Sequence, residues 1–170
     1  MIQRTTAVGG ETSITFSGIP STYKHLQLRA MSKDTYSTSA LVMTLLITLN
    51  SDSGTNYSLH RVYGNGSTVG ASGTGTTSPI TFQGNIASAT GQTNTFGVSI
   101  IDILDYASTS KYKTLKAFSG ADWNSTSTNQ RISLESASWQ STSAVTSVTI
   151  SKDTTAFAAG STFALYGFTG

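Results

Sequence analysis

The chain of 170 residues contains no cysteine, which excludes disulfides and the common zinc sites and makes the fold indifferent to redox compartment. Charge is scarce as well: Asp, Glu, Lys and Arg together make up 11% of the residues, with a formal net charge of +2. A balance so close to neutral offers no basic field able to hold a phosphate backbone, so nucleic acid is not expected as a partner. The longest apolar run, residues 41–49, is interrupted by Thr44 and Thr48 and falls far short of the roughly 20 residues needed to cross a bilayer. It reads as a strand, and no membrane partner is expected. Residues 1–6 (Met1, Ile2, Gln3, Arg4, Thr5, Thr6) lack a charged region followed by an apolar core, so no secretory signal is expected.

What fills the chain instead is hydroxyl. Serine and threonine account for about a third of it, far above ordinary usage. Threonine is favoured in strands while Lys and Glu are depleted there, so this composition points to an all-β fold without substantial helix. The length suits one domain, residues 1–170, with a two-layer core.

Period-2 alternation bounded by Gly, Asn, Asp and Ser predicts about nine or ten short strands. They fall at residues 12–17, 23–33, 41–49, 57–63, 80–83, 95–104, 112–121, 130–136, 143–150 and 161–168. In the second, Leu26, Leu28 and Ala30 share one face and His25, Gln27 and Arg29 the other. Segment 41–49 is apolar on both faces, hence central, and the turn-forming Asn50, Ser51, Asp52, Ser53 and Gly54 lead from it into a hairpin with 57–63. Residues 64–78, almost all Gly, Ser and Thr, read as a long surface loop. In 95–104 the apolar positions change parity, from Phe96, Val98 and Ile100 to Ile101 and Ile103, which predicts a β-bulge in preference to burial on both faces. Regularly spaced short strands without helix describe a β-sandwich of jelly-roll type. Residues 105–110 have room for one helical turn at most.

Chemistry finds little footing. His25 and His60 lie on predicted strands beside Gln or Arg, where surface or interface contacts explain them better than activation of a nucleophile. Asp102 and Asp105, three apart, point to opposite faces of an extended strand unless the chain turns between them; Asp102 reads as a strand residue and Asp105 as the start of the turn. Asn50, Asp52, Gly54 and Asn56 have the look of a calcium loop, but Arg61 stands where a bidentate Glu is needed. The glycines at 64, 66, 70, 73 and 75 fit no phosphate-loop spacing. No catalytic residue, metal or cofactor is therefore expected. The acceptor-like triplets starting at Asn56, Asn65 and Asn124 arise by chance in a Ser- and Thr-rich chain. Of the aromatic residues, Trp139, Tyr57, Tyr63, Tyr106 and Tyr112 read as core or subunit interface, while Trp123, followed by Asn124, is the better candidate for an exposed glycan contact.

Several segments together carry a resemblance. They are Ile14-Thr15-Phe16-Ser17-Gly18-Ile19-Pro20, Tyr23-Lys24-His25-Leu26-Gln27-Leu28-Arg29, Leu49-Asn50 through Tyr57, Ile101-Asp102-Ile103-Leu104-Asp105-Tyr106, Lys111-Tyr112-Lys113, and Gly160-Ser161-Thr162-Phe163-Ala164-Leu165-Tyr166-Gly167-Phe168. In these strand and turn words the chain is similar to a family of small β-sandwich virion proteins of tailed bacteriophages, met as head decoration (cement) or fibre proteins. The resemblance implies a location in the virion, homo-oligomers (trimers), and contact with a major capsid protein or a tail or fibre protein. On that reading the chain is a capsid decoration protein, and the contact surfaces are the arm at residues 1–6, with Met1, Ile2, Gln3 and Arg4, and the face carrying His25, Gln27 and Arg29. The alternative is a host-recognition, glycan-binding module of a tail or head fibre, using the 64–78 loop with Trp123 and Asn124.

Overall fold

The computed structural model describes residues 1–36, 42–87, 89, 92–122, 124 and 130–170, with the side chains of 42, 43 and 84–86 left aside. Twelve strands run through it: β1 (Gln3–Thr6), β2 (Ser13–Ser17), β3 (His25–Ser32), β4 (Val42–Leu49), β5 (Tyr57–Gly64), β6 (Val69–Thr77), β7 (Ile80–Ala87), β8 (Gly97–Leu104), β9 (Lys113–Ala121), β10 (Arg131–Trp139), β11 (Ser147–Ser151) and β12 (Thr162–Phe168). They form two antiparallel sheets, one of eight strands in the order β1-β12-β3-β8-β9-β10-β5-β6 and one of four in the order β2-β11-β4-β7. The fold is an all-β, sandwich-like stack of two layers.

Alternation explains the core. Leu26 and Leu28 of β3, Ile101 and Ile103 of β8, Leu115 of β9 and Phe163 and Leu165 of β12 point inward from the large sheet. Phe16, Leu45, Ile47, Phe82, Val148 and Ile150 meet them from the small one. Each such side chain contributes about 1.5–3 kcal/mol by leaving water. Tyr57 and Trp139 stack at 6.4 Å, and Phe157 meets Phe163 edge-on at 4.7 Å. At one corner Lys152 and Asp34 form a fully buried ion pair of 2.7 Å. Thr155 Oγ1 donates to the same carboxylate, and Lys152 Nζ also donates to the Thr44 carbonyl, which supplies the extra hydrogen bonds that a buried charge pair requires.

The sequence reading needs four corrections here. All ten expected strands are present, but two more join them. Residues 1–6 are not a free arm: Gln3 to Thr6 pair with β12 and edge the large sheet. Within 64–78, β6 pairs with β5 and forms the opposite edge. Its glycines signal a strand and not a loop because Gly70 lies against the Tyr63 ring and Gly73 against the His60 ring, so bare backbone is what those rings require. The turn after β4 does contain residues of positive φ, Asn50 and Ser51, yet β4 and β5 belong to different sheets, so the segment is a crossover and not a hairpin. Finally, β8 carries no bulge. Its pairing with β3 and β9 is uninterrupted and its residues alternate strictly between buried and outward positions, so Val98 and Ile100 face away from the core.

Candidate functional site

The outward face of the eight-stranded sheet is where unexplained chemistry accumulates. Register places Met31, Val98, Gly120, Ile132, Gly64 and Val69 in one row across β3, β8, β9, β10, β5 and β6. The next row is Arg29, Ile100, Phe118, Leu134, Val62 and Ala71. In these two rows Met31, Val98, Phe118, Ile132, Leu134 and Val62 are each about half exposed, and Val69 is 80% exposed. Monomers seldom leave so many contiguous apolar groups in water, and such patches mark contact surfaces.

The face is not flat. Gly120 offers no side chain between Val98 and Ile132, and a trough of about 700 Å³ opens there, lined by Phe96, Val98, Phe118, Gly120, Asp122 and Ile132 among others.

Beneath the same strands the pattern is inverted. Ser99, Ser119 and Ser133 are register neighbours on the inward face and all buried. Ser119 and Ser133 share a 2.8 Å hydrogen bond, and Ser133 Oγ lies within hydrogen-bonding distance of the Glu135 carboxylate. Glu135 accepts from the Gln83 backbone N–H at 3.0 Å and stands 3.9 Å from the buried Arg61 guanidinium. Burial pushes the Glu135 carboxyl up to about 7, opposed by the Arg61 charge and the hydrogen bonds from Ser133 and Gln83. Over this part of the sheet the interior is polar and the exterior apolar, opposite to a sheet with one solvated face.

A third, polar row borders the apolar pair: Gln27, Asp102, Lys116, Ser136, His60 and Gly73. Gln27 Nε2 donates to Asp102 at 2.8 Å, Arg29 Nε donates to Gln27 Oε1 at 2.8 Å, and Lys116 pairs with Asp102 at 3.1 Å. Of the contact residues expected from sequence, Gln27 and Arg29 thus lie on this face, and Arg4 joins Arg29 in one row through Ala164. His25 sits at the margin, its Nδ1 accepting from the Asp105 backbone N–H at 3.1 Å. Met1 is exposed, Ile2 packs partly against the core, and the Gln3 amide donates to the Ser17 carbonyl. Trp123 lies outside the described residues, and Asn124 is in a turn, its backbone N–H bonded to Asp122.

The other candidates are separated or already occupied. His25 and His60 sit on β3 and β5, four strands and so roughly 19 Å apart. Asp105 is engaged by Lys111 at 2.8 Å and Lys24 at 3.2 Å, which hold its carboxyl down at about 2. Asp52 accepts from the Trp139 indole at 2.7 Å, from Asn56 and from Gly54, which together hold its carboxyl below the usual range. Its oxygens tie the turn to the core. No group of three or more His, Asp or Glu side chains able to hold a metal occurs among the described residues. Trp139, Tyr57 and Tyr106 are core, whereas Tyr112 is exposed.

The apolar outward face was missed in the sequence, although signals for it exist. Ile100-Ile101 and Ala117-Phe118 put apolar residues on both faces of their strands, as Ile132 and Leu134 do against Ala137 and Trp139. Comparison with protein-family models, with curated proteins and with solved structures finds no match.

Proposed function

We propose that this chain is a structural protein of a virus particle, a decoration protein of a phage head that acts by surface burial and has no catalytic role. The observation that carries the reading is the apolar outward face over a polar interior, which suits a domain whose working state is an assembly. Low charge supports it, because a neutral, hydroxyl-rich surface can be covered without stranding ionised groups. The strand order supports it too. With β1 and β12 set aside as an added edge and β9 and β10 as an inserted hairpin, β2 to β8 and β11 switch between sheets as the eight strands of a jelly roll do, an architecture used by viral capsid and lectin domains. Arg4 and the β1 edge are the groups offered to the shell.

A protein that binds only the assembled shell stabilises it by linkage. The test is location: antibody labelling on intact particles, with copy number measured against the major capsid protein. Hundreds of copies over the head are expected. A few copies at the tail would replace decoration by host recognition, and absence from the particle would overturn both. Replacing Arg4 with Glu should lower occupancy on the head without changing the melting temperature.

A further inference from the structure

We propose that the apolar face is covered by a second copy of this chain, packed face to face about a two-fold axis that lies in the interface and runs across the strands between the two apolar rows. This deepens the proposed function by naming the partner of that face, and it stands or fails separately from where the particle carries the protein.

The strand β9 sets the axis. Its outward residues are Thr114, Lys116, Phe118 and Gly120, and Asp122 follows on the wall of the same trough. An axis midway between Phe118 and Gly120 turns the strand end for end across the interface. Phe118 of each copy then sits over Gly120 of the other, a ring filling a trough, and Lys116 of each faces Asp122 of the other. An isologous contact requires this reciprocity, in which each residue meets the partner of its own partner. The same axis sets Val62 of β5 over Gly64, and Leu134 of β10 over Ile132. On β9, β10 and β5 apolar residues meet apolar residues or glycines and the charges of β9 are opposite, while at the β3 margin Arg29 lies over Met31.

Area agrees. Six strands at about 4.8 Å and the two apolar rows at roughly 6.8 Å give on the order of 400 Å², and the Lys116 row, facing the strand ends that carry Phe96, Asp122 and Gln130, about doubles it. A standard interface takes about 800 Å² from each partner. Twisted sheets pack face to face at about 30°, so register is best at the centre and lost towards the edges. The strand β9 lies at that centre, while β12 and β1, three and four strands away, remain free for another contact. The symmetry differs from the threefold association that the family resemblance implies.

Sedimentation velocity and light scattering on the purified chain, over a thousandfold concentration range, should give a species of twice the 17.8 kDa chain mass. A monomer throughout, or a trimer, overturns the proposal. Gly120→Leu fills the trough, and its new side chain points away from the core, where only the Arg131 carbonyl comes as near as 3.4 Å. It should raise the dimer dissociation constant at least about 100-fold with an unchanged circular dichroism spectrum. A second pair of variants serves if that one folds poorly. Asp122→Lys places two lysines face to face and should weaken the dimer about tenfold, and adding Lys116→Glu should bring it back. Failure of the second change to restore association places the contact elsewhere and overturns the axis.

Discussion

At the residue scale the buried polar groups give the sharpest expectations. Glu135 in the folded chain holds its proton up to about pH 7, whereas in the unfolded chain it releases it near 4.5. The folded state therefore binds more protons between those limits, and the stability this group contributes at low pH is lost as pH rises towards 8. The loss is on the order of 2–3 kcal/mol. Urea unfolding at pH 5 and pH 8 should show it in the native chain, and Glu135→Gln should abolish that part of the difference. Trp139→Phe keeps the ring in the core but removes the indole donor to the Asp52 carboxylate, one of the bonds that tie the turn after β4 to the core. It should cost about 1–3 kcal/mol in the same assay at pH 7. Neither role is written in the sequence. Asp52 resembled a metal ligand because its neighbours are oxygen-bearing, and only the crossover from β4 to β5 brings the Trp139 indole to it.

At the scale of elements the strands were legible wherever one face is apolar and the other polar, as in β3, where Leu26 and Leu28 alternate with Gln27 and Arg29. Legibility failed where tertiary contact overrides pattern. β1 has no apolar stripe and is a strand because β12 pairs with it. β6 has only Gly, Ala, Ser and Thr after Val69 and is a strand because Tyr63 and His60 cover its glycines. Gly73→Val should push the His60 ring aside and detach β6, so that hydrogen exchange at its amides quickens while the core strands keep their protection. The corner holding β11 depends on Lys152. Lys152→Met should cost about 3–5 kcal/mol in chemical unfolding by leaving Asp34 buried and unpaired. In β8 the parity change at Ile100-Ile101 marks an apolar outward face, which gives the same pattern as a bulge. A single strand does not separate the two. β9 and β10, which repeat the pattern beside it, do.

For the whole molecule, the two-layer all-β architecture followed from composition and strand spacing, while the arrangement of partners did not, since alternation says which face is apolar but not what lies against it. If the proposed dimer forms, its melting temperature should rise with protein concentration by mass action, and that of Gly120→Leu should not. A differential scanning series from micromolar to millimolar distinguishes the two.

The order of pairing also bears on how the chain is made. β1 hydrogen-bonds with β12, and β2 with β11, so strands early in this sequence wait for partners made late in it. Neither sheet can close until β11 and β12 have left the exit tunnel. During that interval Phe16 and Ile14 on β2 have no neighbouring strand, and apolar strands of this kind are the ones that aggregate. Synthesis of this protein is therefore a race between the emergence of β11 and β12 and capture of β1 and β2 by something else, and a chaperone that shields residues 13–17 in the nascent chain would raise the yield more than one acting on the released protein.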